Sequence, residues 1–107
     1  HTGIDIAAPR GTKVLAPAAG VVEIAEKEYR SRTELGTVIV IDHGQGVRTF
    51  YAHLGELAVA SGRSVLQGEV IATVGSTGLS KGAHLHFEIW KDGQPVDPAV
   101  FVPGLGS

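Results

Sequence analysis

Fifteen of the 107 residues are glycine, about twice the ordinary share, and they fall between short runs of Val, Ile and Thr. β-Branched residues suit a pleated, half-buried backbone, and glycine supplies the turn conformations that other residues resist. A chain punctuated this way cannot sustain long helices. It predicts strands over Gly3–Ile6, Lys13–Ala16, Val21–Ala25, Thr37–Asp42, Val47–Ala52, Val70–Val74 and His84–Trp90. Asp42–Gly46 reads as a hairpin loop, and Lys27–Leu35, the most polar stretch, as an exposed loop. Leu54–Ser61 and Pro98–Val102 each read as a single helical turn. The fold class expected is all-β: an antiparallel β-sandwich or open barrel with little helix. Val14–Val22 and Val65–Ile71 each place a glycine before a β-branched pair, a faint strand-turn-strand repeat of the kind found in duplicated barrel-sandwich hybrids. Residues 1–102 read as one domain and 103–107 as a loose tail.

Composition removes several functions. Lys and Arg number 9 against 11 Asp and Glu, so no basic surplus drives nucleic-acid or anionic-membrane binding. No run of apolar residues is long enough to span a membrane. The absence of cysteine excludes a disulfide scaffold, a thiolate-bound zinc and a thiol nucleophile. The chain begins at His1 rather than Met and reads as an excised piece, with any targeting segment upstream of it.

What remains for chemistry is histidine. Five are present: His1, His43, His53, His84 and His86. In His84-Leu85-His86, strand alternation points both imidazoles to one face, with Cα atoms about 7 Å apart. Glu88 continues that face, either backing a site or lying on the surface as an ordinary carboxylate. Leu85, Phe87 and Ile89 face the core. His1 and Asp5 share a face of an extended segment and need a bend or inward lean to meet at one ion, and Gly3 is where bending is cheapest. His53 ends a strand and enters a glycine-containing loop, whereas His43 reads as a turn residue hydrogen-bonded locally. Tyr51 reads as packing. Two imidazoles and a carboxylate for a metal, plus further histidines for proton transfer, are the inventory of a catalytic zinc centre. Alternation alone leaves open which of His84 and His86 is the ligand.

The motifs His1-Thr2-Gly3-Ile4-Asp5, Ile41-Asp42-His43-Gly44, Tyr51-Ala52-His53-Leu54, Gly75-Ser76-Thr77-Gly78 and His84-Leu85-His86-Phe87-Glu88, in this order, resemble the lysostaphin-type zinc metallopeptidases, which are peptidoglycan endopeptidases. The resemblance runs from His1 to about Phe101, and Pro95-Val96-Asp97-Pro98 resembles the family's usual close. It implies that His1, Asp5 and His86 bind Zn2+, that His84 is a general base or proton shuttle, and that His53 is a second catalytic histidine. His43 matches a position not known as a ligand. The implied activity is hydrolysis of peptide cross-links in bacterial peptidoglycan, most simply as a D,D-endopeptidase in the periplasm or outside the cell. Two other classes compete. A non-catalytic cell-wall or amidase-activating module of the same fold predicts neither metal nor cleavage. A biotinyl- or lipoyl-type carrier needs a lysine at a hairpin tip, a context that Lys13, Lys27, Lys81 and Lys91 do not offer.

Overall fold

The β-branched runs become strands and the glycines become the turns between them. A computed structural model describes residues 3–27, 35–76 and 82–97, and within these residues the chain forms nine strands and no helix. They are β1 (Gly3–Ala7), β2 (Lys13–Leu15), β3 (Gly20–Glu26), β4 (Thr37–Gly44), β5 (Val47–Leu57), β6 (Ser64–Val65), β7 (Val70–Val74), β8 (His84–Lys91) and β9 (Gln94–Val96). All pairings are antiparallel, along the path β1-β8-β5-β4-β3-β6, with β7 joining β2 to β5 and β9 flanking β8. The path does not close on itself, as expected for an open β architecture.

The two repeat-like segments interlock. Val14–Val22 runs from β2 into β3, and Val65–Ile71 runs from β6 into β7. β2 pairs with β7 while β3 pairs with β6, so each strand of one segment finds its partner in the other. Between them, Ala16 N–H donates to Glu69 O at 2.9 Å and Gly68 N–H donates to Ala16 O at 2.8 Å. The core lies under this cross and against β4, β5 and β8, with Val22, Ile39, Ile41, Tyr51, Leu54, Ile71 and Leu85 at its centre. A second cluster of Val38, Val40 and Ala52 buries the opposite face of β4 and β5.

Three expectations change. Leu54–Ser61 holds no helical turn: Leu54–Leu57 continues β5, which leaves β8 after Ala52 and pairs with β7 from Leu54 onward. The β4–β5 turn is tighter than Asp42–Gly46. Gln45 and Gly46 alone form it, with φ of 53° and 81°, the two positive values of a hairpin turn that matches strand twist. Asp42 and His43 therefore sit on β4. Strands β6 and β9, of two and three residues, are additional to the seven expected. Most of the Lys27–Leu35 loop, the Pro98–Val102 turn and the 103–107 tail lie outside the described residues.

Candidate active site

Strand register assembles the site. Antiparallel pairing of β1 with β8 sets Asp5 opposite His86 and Gly3 opposite Glu88, and pairing of β5 with β8 sets Ala52 on the other flank of His86. His84, His86 and Glu88 share one face of β8, as alternation requires, while Leu85 and Ile89 turn into the interior. Asp5 Oδ1 lies 2.8 Å from His86 Nδ1 and 3.8 Å from His84 Nε2. His86 Nε2 lies 2.7 Å from Glu88 Oε2.

His53 arrives by a different device. The β4–β5 register shifts between Ile39↔Tyr51 and Thr37↔Leu54, which inserts an extra residue in β5. His53 sits in this bulge with φ of 61°, a left-handed conformation uncommon for a residue with a side chain. Its N–H donates to Leu35 O at 3.0 Å. The bulge turns the imidazole toward β8, with ring centroids 4.8 Å from His84 and 6.4 Å from His86. Asp5, Leu35, His53, Gly82, Ala83, His84 and His86 line an open cleft of about 610 Å3.

Hydrogen bonds fix the roles of the ring nitrogens. Gly82 O can only accept, so His84 Nδ1 donates to it at 3.0 Å and Nε2 is the basic nitrogen of the neutral ring, turned toward Asp5. His86 touches a carboxylate at each nitrogen. Its pKa is pushed up to about 9, first by the Glu88 hydrogen bond, against the opposing effect of burial, and then by Asp5. Asp5 is held below the usual carboxylate range, chiefly by its hydrogen bond to His86.

This donor set fits a zinc ion in part. One carboxylate and one imidazole meet within 2.8 Å. Two ligand atoms of a tetrahedral ion with bonds of ~2.0–2.1 Å stand about 3.3 Å apart, so a small separation of the pair admits the cation. Among the described residues no three potential ligands are placed to hold a metal ion. His1, the third expected ligand, lies outside them. Thus Asp5, His53, His84 and His86 come together, and His43 stands apart. It is not bonded locally, as a turn residue would be: from β4 its ring joins Ala19 O, just before β3, to Thr49 on β5. Leu35, Gly82 and Ala83 line the cleft without having been expected to, because a lining role set by loop position leaves no periodic trace. Trp90, at the same parity as His86 and Glu88, donates from Nε1 to Glu88 Oε1 at 2.8 Å, and that parity is the signal that could have found it.

Comparison with known proteins sets this geometry in a lineage. The profile of "Peptidase family M23" matches residues 1–98. The DD-carboxypeptidase/endopeptidase Mpg of Neisseria meningitidis is 49% identical over 98 residues, covering 92% of this chain and 22% of Mpg. The chain thus spans about a fifth of the length of that relative. A zinc-containing peptidase from Vibrio cholerae superposes with a TM-score of 0.87 at 36% identity, covering 96% of this chain and 31% of the other. The catalytic domain of lysostaphin from Staphylococcus simulans superposes with a TM-score of 0.83 at 32% identity, covering 92% and 76% respectively.

Proposed function

This chain belongs to peptidase family M23, and from that premise we propose that it is a zinc-dependent endopeptidase hydrolysing the peptide cross-links of bacterial peptidoglycan. The D-Ala–diaminopimelate bond is the first candidate substrate, and the reading carries with it a periplasmic or extracellular location. The observation that supports it is the convergence of Asp5, His53, His84 and His86 on one open cleft, with Asp5 and His86 2.8 Å apart. A surface set of histidines has no need of a strand register and a strained bulge to gather it.

In this proposal His1, Asp5 and His86 hold the ion. When bound, zinc supplies Lewis acidity toward a water molecule and toward the scissile amide carbonyl. The remaining steps belong to the chain. His84 Nε2, left basic by the Nδ1 hydrogen bond to Gly82, takes the proton from the attacking water and returns it to the leaving amine. His53, 4.8 Å away ring to ring, lines the same cleft and steadies the developing oxyanion when protonated. The cleft is open to solvent, which suits a peptide cross-link lying across it better than a small molecule enclosed within it.

Metal analysis combined with cleavage of a cross-linked muropeptide dimer tests the proposal. The wild-type chain is expected to hold zinc and cut, and a double Asp5→Ala, His86→Ala variant to lose both. His84→Ala is expected to keep zinc and lose ~10²–10⁴-fold in turnover. Equal cleavage by the wild type and the double variant would refute the scheme. A wild type with neither zinc nor cleavage would move the chain to the non-catalytic class.

A further inference from the structure

The motif that opens at Gly75 takes no part in the proposed mechanism, yet it lies where β5 exchanges one neighbour for another. β5 faces β8 up to Ala52↔His86 and β7 from Leu54↔Val74, and His53 is the single residue between. At that junction Gly75 O accepts from His84 N–H at 3.3 Å. A Cβ added to Gly75 would stand 2.6 Å from Gly55 N, 2.7 Å from Gly55 Cα and 2.8 Å from Leu54 C. All three are backbone atoms, and real Cβ atoms do not come that close. Gly75 is not among the residues of positive φ, so the position demands room rather than glycine's freedom of conformation.

Gly55 answers it from the facing strand. A Cβ there would stand 2.9 Å from Thr73 Oγ1, 3.2 Å from Val74 O and 3.5 Å from Gly75 Cα. The two glycines thus bring backbone against backbone. The β7 side of this contact is gripped by the turn between β1 and β2. Val74 N–H donates to Thr12 O and Val74 O accepts from Gly11 N–H, both at 2.8 Å, and Arg10 Nη2 donates to Ser76 Oγ. The β5 side is the bulge itself, where the extra residue is His53. A displacement forced at Gly75 therefore falls on the bulge and on His53. Asp5 and His86 face each other through the β1–β8 register, in which Gly75 has no share.

We propose that Gly75 is a positioning residue that sets the spacing of the His53 and His84 rings. Its carbonyl holds the backbone of His84, and its missing side chain lets the backbone just after His53 close in, so that the two rings stand 4.8 Å apart. A methyl at position 75 must raise a 2.6 Å approach to the 3.4 Å of ordinary contact, which parts the two backbones by most of an ångström. A misplacement of ~1 Å can cost about 10²-fold in rate. The inference deepens the endopeptidase reading and rests on it for this kinetic consequence, but the spacing itself can be observed without substrate.

The test joins NMR contacts between the two rings, zinc content and steady-state kinetics on a muropeptide dimer. The wild type is expected to show nuclear Overhauser cross-peaks between ring protons of His53 and His84. Gly75→Ala is expected to lose or weaken them, to keep its zinc, and to drop kcat by about 10²-fold with KM little changed. Gly55→Ala, whose nearest contact is the movable Thr73 hydroxyl, should show the same changes to a smaller degree. It carries the test if Gly75→Ala does not fold. Wild-type cross-peaks or a wild-type kcat in Gly75→Ala, or in Gly55→Ala where it stands in, overturns the proposal. So does a loss of zinc in step with kcat, which would make Gly75 a support of the fold at large. A glycine of merely structural value would lower the melting temperature and leave the cross-peaks and kcat of the folded fraction unchanged, and the proposal would fail. A wild type that shows the cross-peaks yet neither holds zinc nor cuts, beside a Gly75→Ala variant that loses them, upholds the spacing and refutes the endopeptidase reading instead.

Discussion

At the scale of single residues, the site depends on one position that breaks a backbone rule. His53 adopts φ of 61° although it carries a side chain, and it does so at the bulge where β5 leaves β8. Left-handed backbone costs a non-glycine residue on the order of 1–3 kcal/mol, and functional sites are where such strain collects. Two substitutions separate the strain from the chemistry. His53→Ala keeps the unfavourable conformation and loses the imidazole, while His53→Gly relieves the conformation and loses the same ring. Turnover on a muropeptide dimer should fall in both variants to the same residual level. Urea denaturation should find His53→Gly more stable than His53→Ala by about 1 kcal/mol. A glycine variant no more stable than the alanine one would mean that the bulge carries no strain. The shared face of His84, His86 and Glu88 was legible in the sequence, because strand alternation has a fixed period and every residue between them is apolar. The aim of His53 was not. It depends on a register shift of one residue between β4 and β5, and no local pattern announces a bulge whose apex is not glycine.

Elements were legible in proportion to their length. The seven expected runs became strands, six of them within a residue or so of their expected ends or a little beyond, while the run from Val47 continues five residues past Ala52 to Leu57. β6 and β9, at two and three residues, are too short for alternation to appear and exist only because β3 and β8 pair with them. Leu54 and Leu57 imitate one turn of a helix by their spacing, but both belong to a strand that bends from one neighbour to another. His43 was misread for a related reason: its partners are distant in sequence. Ala19 O can only accept, so His43 Nδ1 donates to it at 2.9 Å. In the neutral ring Nε2 then accepts from Thr49 Oγ1 at 2.7 Å, and Thr49 Oγ1 accepts from the Tyr51 hydroxyl at 2.6 Å. The chain of bonds ties β4 and β5 to the segment just before β3, on a direction set by one carbonyl. Gly20 permits the close approach, since a Cβ there would stand 2.5 Å from Asp42 O. Thr49→Val keeps the shape and removes the middle link, stranding Tyr51 and His43 at once. We expect a loss of about 1–3 kcal/mol in denaturant unfolding. In the Thr49→Val, Tyr51→Phe double variant the second substitution should cost less than it does alone, because the partner it would strand has gone. Strict additivity would argue that the two hydroxyls act independently.

For the whole molecule, the interlocked β2–β7 and β3–β6 pairs and the two clusters on either face of β4 and β5 tie the burial of these strands together. Tyr51 lies at the centre of that arrangement, 1% exposed and packed against Phe87 with ring centroids 5.4 Å apart. Burial pushes its hydroxyl well above the ordinary tyrosine range. The consequence for stability has a definite sign. The folded state holds the phenol proton to higher pH than the unfolded chain, whose tyrosines titrate near 10. Below that pH the two states bind the same proton and Tyr51 adds no slope. Above it the unfolded chain has released a proton that the folded one retains, so ionisation pulls the equilibrium toward unfolding and stability falls as pH rises. Urea midpoints measured from pH 8 to pH 11 should therefore drop in the wild type more steeply than in Tyr51→Phe, which has nothing to ionise at that position. Below pH 9 the offset between the two curves should be constant, set by the lost hydrogen bond. Above pH 10 the curves should converge, because the wild type alone carries the penalty of ionisation in its core. Parallel curves across the whole range would show that the phenol reaches water without global unfolding, and that the centre of this sheet opens locally.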